Sequence, residues 1–362
     1  MENNKNLLYM QVERELLKEI ELLKPDERLP SRNELIKKYG VTRTTIERAI
    51  SELIGRGYLY AKNGSGTYKS KVVAREAQTS DKSVDSWGVI LPDIMSDTYP
   101  GILRGVEDVA NDNGINVMIC NTDNLIKKQN TYVYKLINSR VKGIIIVPAV
   151  IGETYDYTAF KKLQESHIPF VFCNRGIMGI ESPKVISNNF HGALLATNHL
   201  INQGYKNIAF ISRPAYSTAI ERYQGYMSAL SQANIKVDQD YVIFEQSFGI
   251  KNPGYDTTRD LLKKHPEIDA IFCFNDRLAE GAYNAITDMN MKVGRDIGIV
   301  GYDNTIICEE LPIKLTSVKF KTYETGCEAA KLLLQTTKGS NNKNETIILQ
   351  PQLIIRDSSK KS

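Results

Sequence analysis

Residues 29–68 constrain this chain more than any other stretch. They read Leu29-Pro30-Ser31-Arg32-Asn33-Glu34-Leu35-Ile36, then Gly40-Val41-Thr42-Arg43-Thr44-Thr45-Ile46, then Gly57-Tyr58-Leu59, and close on Asn63-Gly64-Ser65-Gly66-Thr67-Tyr68. Ser31 precedes Glu34 by three residues, the spacing of a capping box, so a helix is expected to begin there. Leu35 and Ile36 give that helix an apolar side, and Gly40 allows a tight turn. Thr42 caps a second helix. Its Ile46, Ala49, Ile50 and Leu53 face inward while Arg43, Thr44, Glu47 and Arg48 face out. Gly57 ends it. Tyr58–Ala61 and Thr67–Lys69 then pair around a loose tip, Asn63-Gly64-Ser65-Gly66. Upstream, Leu7, Leu8, Val12, Leu16, Leu17, Ile20 and Leu23 recur at helical spacing, and Pro25-Asp26-Glu27 breaks that run.

Two short helices, a tight turn and a Gly-tipped hairpin spell a winged helix-turn-helix, which offers its second helix to duplex DNA. Charge placement agrees. Residues 31–75 hold ten Lys/Arg against three Asp/Glu, residues 1–30 hold five against seven, and the remainder hold 31 against 32. The overall excess of +4 therefore lies on the candidate reading segment, as attraction to phosphates requires.

A length of 362 residues predicts two or three compact units. With 42% hydrophobic and 24% charged residues the composition is that of a soluble protein. No apolar run reaches the ~18 residues of a membrane span. The polar start Met1-Glu2-Asn3-Asn4-Lys5-Asn6 lacks a signal-peptide core, so the expected location is the cytoplasm, with no membrane partner. Cys120, Cys173, Cys273, Cys308 and Cys327 are scattered and odd in number, which reads as reduced core thiols.

Residues 71–85 are polar with little periodicity and read as a linker between a head, 1–70, and a body, 86–362. In the body, short apolar runs at 87–91, 116–120, 143–147 and 170–173 alternate with helical stretches at 99–113, 127–139 and 158–166. The pattern returns with runs at 207–211, 241–244, 270–274 and 298–301 and helices at 216–232 and 277–289. Strands that alternate with helices predict parallel sheets covered on both faces. Two such units facing each other make a cleft beyond the carboxyl ends of the strands. The expected fold class is α/β: a winged helix-turn-helix followed by a two-lobed domain of parallel sheets flanked by helices. One lobe takes about 86–187 and 319–338, the other about 188–318 and 339–357.

The first 70 residues resemble the GntR family of regulators at Tyr9, Gln11-Val12, Leu29-Pro30-Ser31, Glu34-Leu35, Gly40–Ile46, Ala49, Leu53, Gly57-Tyr58-Leu59 and Gly64–Thr67. The body resembles the GalR/LacI family, a relative of periplasmic sugar-binding proteins. The residues concerned are Leu91-Pro92-Asp93-Ile94, Val141–Ile145, Arg222–Tyr226, Asn275–Ala279, Ile299–Asp303 and Leu315–Val318. A GntR-type head on such a body resembles the arabinose repressors of Gram-positive bacteria, as do Ile94–Pro100 and Pro351–Arg356. The resemblance implies a homodimeric repressor that binds operator DNA and releases it on binding a monosaccharide, with arabinose favoured and no cofactor or metal required.

The resemblance places Arg43 where the family's main base-reading arginine stands, able to donate twice to guanine O6 and N7. The hydroxyls of Thr42, Thr44 and Thr45 suit phosphates. Arg32 and Asn33 should lie near the backbone or a flanking base, helped by the dipole of their helix. Lys62, Asn63 and Gly64 should reach the minor groove or its rim. Tyr9, Ser31 and Arg48 complete the expected DNA-contacting set. Glu47 stands where relatives often carry a second arginine. It either accepts from cytosine N4 or pairs with a neighbouring basic side chain and touches no base.

A sugar needs planar groups that bond adjacent hydroxyls and an aromatic wall for its ring face. By resemblance, Arg222 should clamp sugar oxygens, and Asn275, Asp303 and Asn174 should bond hydroxyls. Tyr99 and Phe320 should stack or seal the cleft, with Ser96 and Arg175 as further contacts. Structural readings stand beside these. Asn275 and Asp276 could cap the following helix, Asp303 could form a turn with Asn304, Tyr99 and Phe320 could be core, and Arg222 could pair with Glu221.

An enzyme is the contrasting reading. The turn Leu91–Ser96 has no Gly-x-Gly-x-x-Gly and no Walker loop is present. His167, His191, His199 and His265 lack metal spacing, and His191 and His199 read as half-exposed core. Catalysis is therefore not expected. A ligand that strengthens DNA binding, or a different carbohydrate, remains open at this level.

Overall fold

One face of a helix over residues 12–20 (α1), Val12, Leu16 and Ile20, is buried with Leu29, Leu35, Ile46, Ala49, Ile50, Leu53 and Leu59. Each buried Val, Leu or Ile among them contributes roughly 1.5–3 kcal/mol, enough to hold three short helices that would fray alone. In this computed structural model α2 spans Arg32–Tyr39 and α3 spans Arg43–Gly55. The wing strands are β1, Leu59–Lys62, and β2, Gly66–Lys69, paired antiparallel with Leu59 opposite Lys69. The structure describes residues 12–20, 22–55, 57–62, 65–70, 85–152, 158–337 and 344–361. Tyr9, Asn63, Gly64 and nearly all of the expected linker 71–85 lie outside them.

The chain divides into two units, Met1–Ser83 and Val84–Ser362. In the second, β3 (Ser86–Leu91), β4 (Asn116–Asn121), β5 (Gly143–Ile146), β6 (Phe170–Asn174) and β7 (Lys184–Ser187) are joined through α4 (Tyr99–Asp112), α5 (Ile126–Asn138) and α6 (Thr158–Glu165). After α7 (Asn189–Asn202) the pattern repeats with β8 (Ile208–Ser212), α8 (Ser217–Gln232), β9 (Val242–Phe244), α9 (Tyr255–Lys264), β10 (Ala270–Cys273), α10 (Asp276–Asp288), β11 (Gly298–Asp303), α11 (Ile307–Glu310) and β12 (Thr316–Lys319). Then come α12 (Thr322–Thr337), β13 (Thr346–Leu349) and β14 (Gln352–Ile354).

The sheet orders are β13-β7-β6-β5-β3-β4 and β14-β12-β11-β10-β8-β9. Every pairing is parallel except β12 with β14. The expected division of the lobes needs one correction. The sequence pattern puts residues 339–357 whole in the second lobe, but β13 pairs with β7 in the first sheet, Ile347 opposite Val185, and only β14 joins the second. The open edge of β7 takes the returning strand because its N–H and C=O groups need partners. The chain thus crosses between sheets three times, at 187–189, 319–322 and 349–352.

Helix α12 packs on α4 at glycines. A Cβ on Gly326 would stand 2.1 Å from the Ile102 carbonyl oxygen, and one on Gly105 would stand 2.2 Å from that of Tyr323. Cys120, Cys173, Cys273 and Cys308 are buried free thiols. His199 is buried rather than half-exposed. Its Nε2 lies 2.7 Å from Ser359 Oγ, so the C-terminal segment covers it. No helix among the described residues is long and apolar enough to cross a membrane.

Candidate DNA-reading face and effector cleft

Ser31 Oγ accepts from the Glu34 N–H at 3.4 Å, and a Glu34 carboxylate oxygen accepts from the Ser31 N–H at 2.7 Å, so the capping box at α2 is closed. Gly40 follows in the left-handed conformation, φ 65°, and donates its N–H to the Ile36 carbonyl. Thr42 then starts α3: its Oγ1 accepts from the Thr45 N–H at 3.4 Å and lies 2.9 Å from Thr45 Oγ1. The outer side of α3 exposes Arg43, Thr44, Glu47 and Arg48. Arg43 Nε donates to Glu47 Oε1 at 2.9 Å. Of the two readings for Glu47, the structure displays the pair with a neighbouring basic side chain, and the neighbour is the base-reading candidate itself.

Asn33 and Lys62 are exposed at the start of α2 and the end of β1. Arg32 is half-buried, and its Nη1 donates to the buried Thr67 Oγ1 at 2.6 Å. That side chain ties α2 to the wing. Its expected place near the DNA backbone therefore competes with a bond inside the unit, for which a free arginine at a helix start carries no sequence signal.

The cleft is built at the carboxyl ends of strands in both sheets of the second unit, and it encloses about 580 Å³. Ser96, Tyr99, Asn174, Arg175, Arg222, Asn275, Asp303 and Phe320 all line it. β6 ends in Asn174 at φ 67° and β11 in Asp303 at φ 100°. Left-handed backbone at a strand end suits Asn and Asp better than bulkier residues, and it turns the side chain out of the sheet. Asn275 does cap α10, accepting from the Leu278 N–H at 3.1 Å, and it lines the cleft as well. Phe320 is buried yet remains part of the wall.

Arg222 is 5% exposed. Its guanidinium carbon stands 3.4 Å from the Tyr302 ring centre and 4.2 Å from that of Phe274. Nε donates to Asn189 Oδ1 at 3.1 Å, Nη1 donates to the Phe274 carbonyl, and Nη2 lies 3.5 Å from Asp303 Oδ1. The considered pairing with Glu221 is corrected: Glu221 accepts from Asn189 Nδ2 at 2.9 Å, and Asp303 is the partner of Arg222. The rings on either side fix the plane, so the fork can meet a ligand without losing rotamer freedom at that moment. Burial raises the Asp303 pKa, and the Arg222 charge opposes that rise.

Asp276 does not cap α10; Asn275 does. The Asp276 carboxylate accepts from Ser317 Oγ at 2.6 Å, the Thr305 N–H at 2.7 Å and Thr305 Oγ1 at 3.0 Å, tying α10 to the end of β11 and to β12. Burial, reinforced by Asp303, pushes its pKa up to about 7.

Sequence reasoning missed several wall residues. Arg213, Tyr216, Phe248, Phe274 and Arg277 line the cleft. Arg213 pairs with the buried Glu245 at 3.2 Å and its Nη2 donates to the Phe248 carbonyl at 3.0 Å. Tyr216 lies between Phe248 and Phe274, ring centres 5.8 and 5.9 Å away. The signal was available: Arg213 stands directly after the buried apolar strand β8, as Arg175 stands directly after β6. Arg277 Nη2 reaches Asp97 Oδ2 at 3.3 Å, so the mouth is bridged from one lobe to the other. No cluster of His, Cys, Asp or Glu suited to a metal occurs among the described residues.

A model of the bacterial regulatory proteins, gntR family, matches residues 8–68, and one of the periplasmic binding protein-like domain matches 197–359. The arabinose metabolism transcriptional repressor of Geobacillus stearothermophilus is 28% identical over 358 residues, 97% of each chain. The ribose operon repressor of Halalkalibacterium halodurans is 32% identical over 297 residues, covering 81% of this chain and 84% of that one. The crystal structure of a LacI family transcriptional regulator from Enterococcus faecium with bound ribose superposes with a TM-score of 0.65 at 28% identity, covering 76% of this chain and 98% of that one. These relatives are transcriptional regulators, not enzymes. The chain belongs to the LacI/GalR family of transcriptional regulators, as a sugar-responsive repressor whose DNA-binding head is of the GntR type.

Proposed function

We propose that this repressor binds its operator as a homodimer and releases it when the cleft takes up a monosaccharide, with L-arabinose the favoured candidate. The observation that carries the sugar reading is Arg222, clamped between two rings and paired with Asp303 beside Asn275 and Asn174. A flat fork, a carboxylate and amides around an aromatic wall match the adjacent hydroxyls and apolar face of a pyranose. Arabinose rests on the kinship along nearly the full chain to an arabinose metabolism repressor, which shares both halves. Tyr99, Phe320 and Ser96 close the site in this reading, and the DNA contacts fall to Arg43, Thr44, Arg48, Asn33 and Lys62.

Homodimerisation is supported by the edge strand β4, where Met118 and Ile119 are 42% and 52% exposed. Apolar groups on an unpaired edge favour cover by a second copy. Two heads must meet two half-sites at one spacing, so a change in their separation lowers joint binding. The sugar acts only through its different affinity for the two arrangements.

The test is a thermal-shift screen of the full chain against monosaccharides, then operator binding with and without the hit. A pentose that raises the melting temperature and weakens operator binding is expected, and Arg222→Met abolishes the shift. Stronger operator binding with the sugar would reverse the sign of the coupling. A screen that responds only to nucleobases would overturn the sensing assignment.

A further inference from the structure

Among the described residues, the guanidinium groups of the cleft are paired, with one exception. Arg213 has Glu245 at 3.2 Å, Arg222 has Asp303 at 3.5 Å, and Arg277 has Asp97 and Glu280, each at 3.3 Å. Arg175 has no carboxylate within 4.0 Å among those residues, although it is only 5% exposed. Its Nε donates to the Pro148 carbonyl at 2.7 Å and its Nη1 to the Tyr99 hydroxyl at 3.3 Å, and its guanidinium carbon stands 5.5 Å from the Tyr216 ring centre. All of these partners are neutral, as is Asn174 beside it. A guanidinium carries five N–H donors, so donors on the Nη atoms are left over at a residue that lines the cavity.

The other carboxylates of the cleft do not answer this charge. Asp276 is committed to Ser317 and Thr305. Asp97 and Asp123 sit at the mouth with partners of their own, Arg277 and Lys128. Asp93 is exposed and its carboxylate accepts from the Met95 N–H. Solvent and salt screen such groups far more than they screen a buried one. A buried charge is tolerated when it is paired and hydrogen-bonded, and truncating its partner is what makes burial costly. Here the missing partner has an obvious place, the cavity itself. Sugar hydroxyls satisfy hydrogen bonds but supply no counter-charge.

We propose that the effector is a monosaccharide bearing an anionic group, a carboxylate or a phosphate ester, and that Arg175 receives that group. The proposal rests on the reading of this cleft as a sugar site, and within that reading it moves the favoured ligand from neutral L-arabinose to an anionic derivative of such a sugar. The planar fork of Arg175 meets two oxygens of either anion at once. Tyr99 holds the fork in place and Arg222 binds the ring.

The test is calorimetric titration of the full chain with matched sets: neutral pentoses and hexoses, the aldonates derived from them, and their phosphate esters. One anionic form is expected to bind about tenfold or more tightly than its neutral parent, with the ratio shrinking as salt rises. Whichever anion shows the ratio identifies the carboxylate or the phosphate. In Arg175→Gln the ratio collapses to near one. Should that variant fail to fold, the wild-type ratio and its salt dependence decide the matter alone. Neutral sugars that bind as tightly as both anionic forms overturn the proposal and leave the sugar reading standing. If no sugar binds, charged or neutral, the sugar reading falls and the proposal with it.

Discussion

Arg43 and Glu47 form an i,i+4 pair on the outer side of α3, at 2.9 Å, with side chains 74% and 50% exposed. Such a pair contributes about 0.3–0.5 kcal/mol to a helix, and less in salt. A bidentate contact from arginine to guanine is worth about 1–3 kcal/mol of discrimination. The second effect is the larger, so if Arg43 meets a guanine it is expected to leave Glu47 for it. Arg43→Ala should therefore weaken binding to the operator by about 5- to 150-fold, at 1.36 kcal/mol per decade. It should also flatten preference at one base pair while leaving random duplex almost untouched. Glu47→Ala should do the reverse: it removes a negative charge that faces phosphates and strengthens binding to any duplex at low salt, at almost no cost in stability. Fluorescence anisotropy with an operator selected from random duplexes, run beside a scrambled duplex over a salt series, measures all of this. Equal losses on both duplexes for Arg43→Ala, with a salt slope lower by about 0.9, would mean a phosphate contact and refute base reading.

Asp276 makes stability depend on pH. Its folded pKa of about 7 lies above the ordinary carboxyl value of 3.8, so between those values the folded chain holds a proton that the unfolded chain has lost. Stability should fall as pH climbs from about 4 to about 7, by on the order of 3–4 kcal/mol if Asp276 acts alone. Denaturant unfolding at pH 5 and pH 8 reads this, and Asp276→Asn should flatten the difference; an unchanged slope in that variant contradicts the assignment. A Cβ on Gly225 would stand 2.2 Å from the Phe190 carbonyl oxygen, so Gly225→Ala should push α8 off α7 and cost about 1–3 kcal/mol, visible in the same unfolding curves. Ser31→Ala opens the capping box and should cost about 1 kcal/mol of head stability, with reduced DNA binding on warming. Replacing Met118 and Ile119 by Asp should shift the sedimentation coefficient toward a monomer; an unchanged value places the dimer contact elsewhere.

Local chemistry was legible before the structure. Ser31 with Glu34, Gly40, and the apolar spacing of Ile46, Ala49, Ile50 and Leu53 specify α2, the turn and α3 from within a dozen residues each. The alternation of apolar runs and amphipathic stretches in the body specifies parallel sheets, because strands buried on both faces are apolar throughout. The eight cleft residues named from resemblance line one cavity; seven lie at strand ends, in the loops that follow or at helix starts, and Arg222 projects from the second turn of α8.

What the sequence could not decide is which of several nearby partners a side chain takes. Arg222 had Glu221 beside it in sequence but meets Asp303, 81 positions away in the numbering, because β11 delivers that residue to the same end of its sheet. Arg32 reaches Thr67, and β13 crosses to the edge of β7, for the same reason. Periodicity and capping depend on neighbours along the chain, so the residues alone determine them. Charge pairing, strand-edge completion and the uncompensated guanidinium of Arg175 depend on distances through space, and only the packed fold sets those.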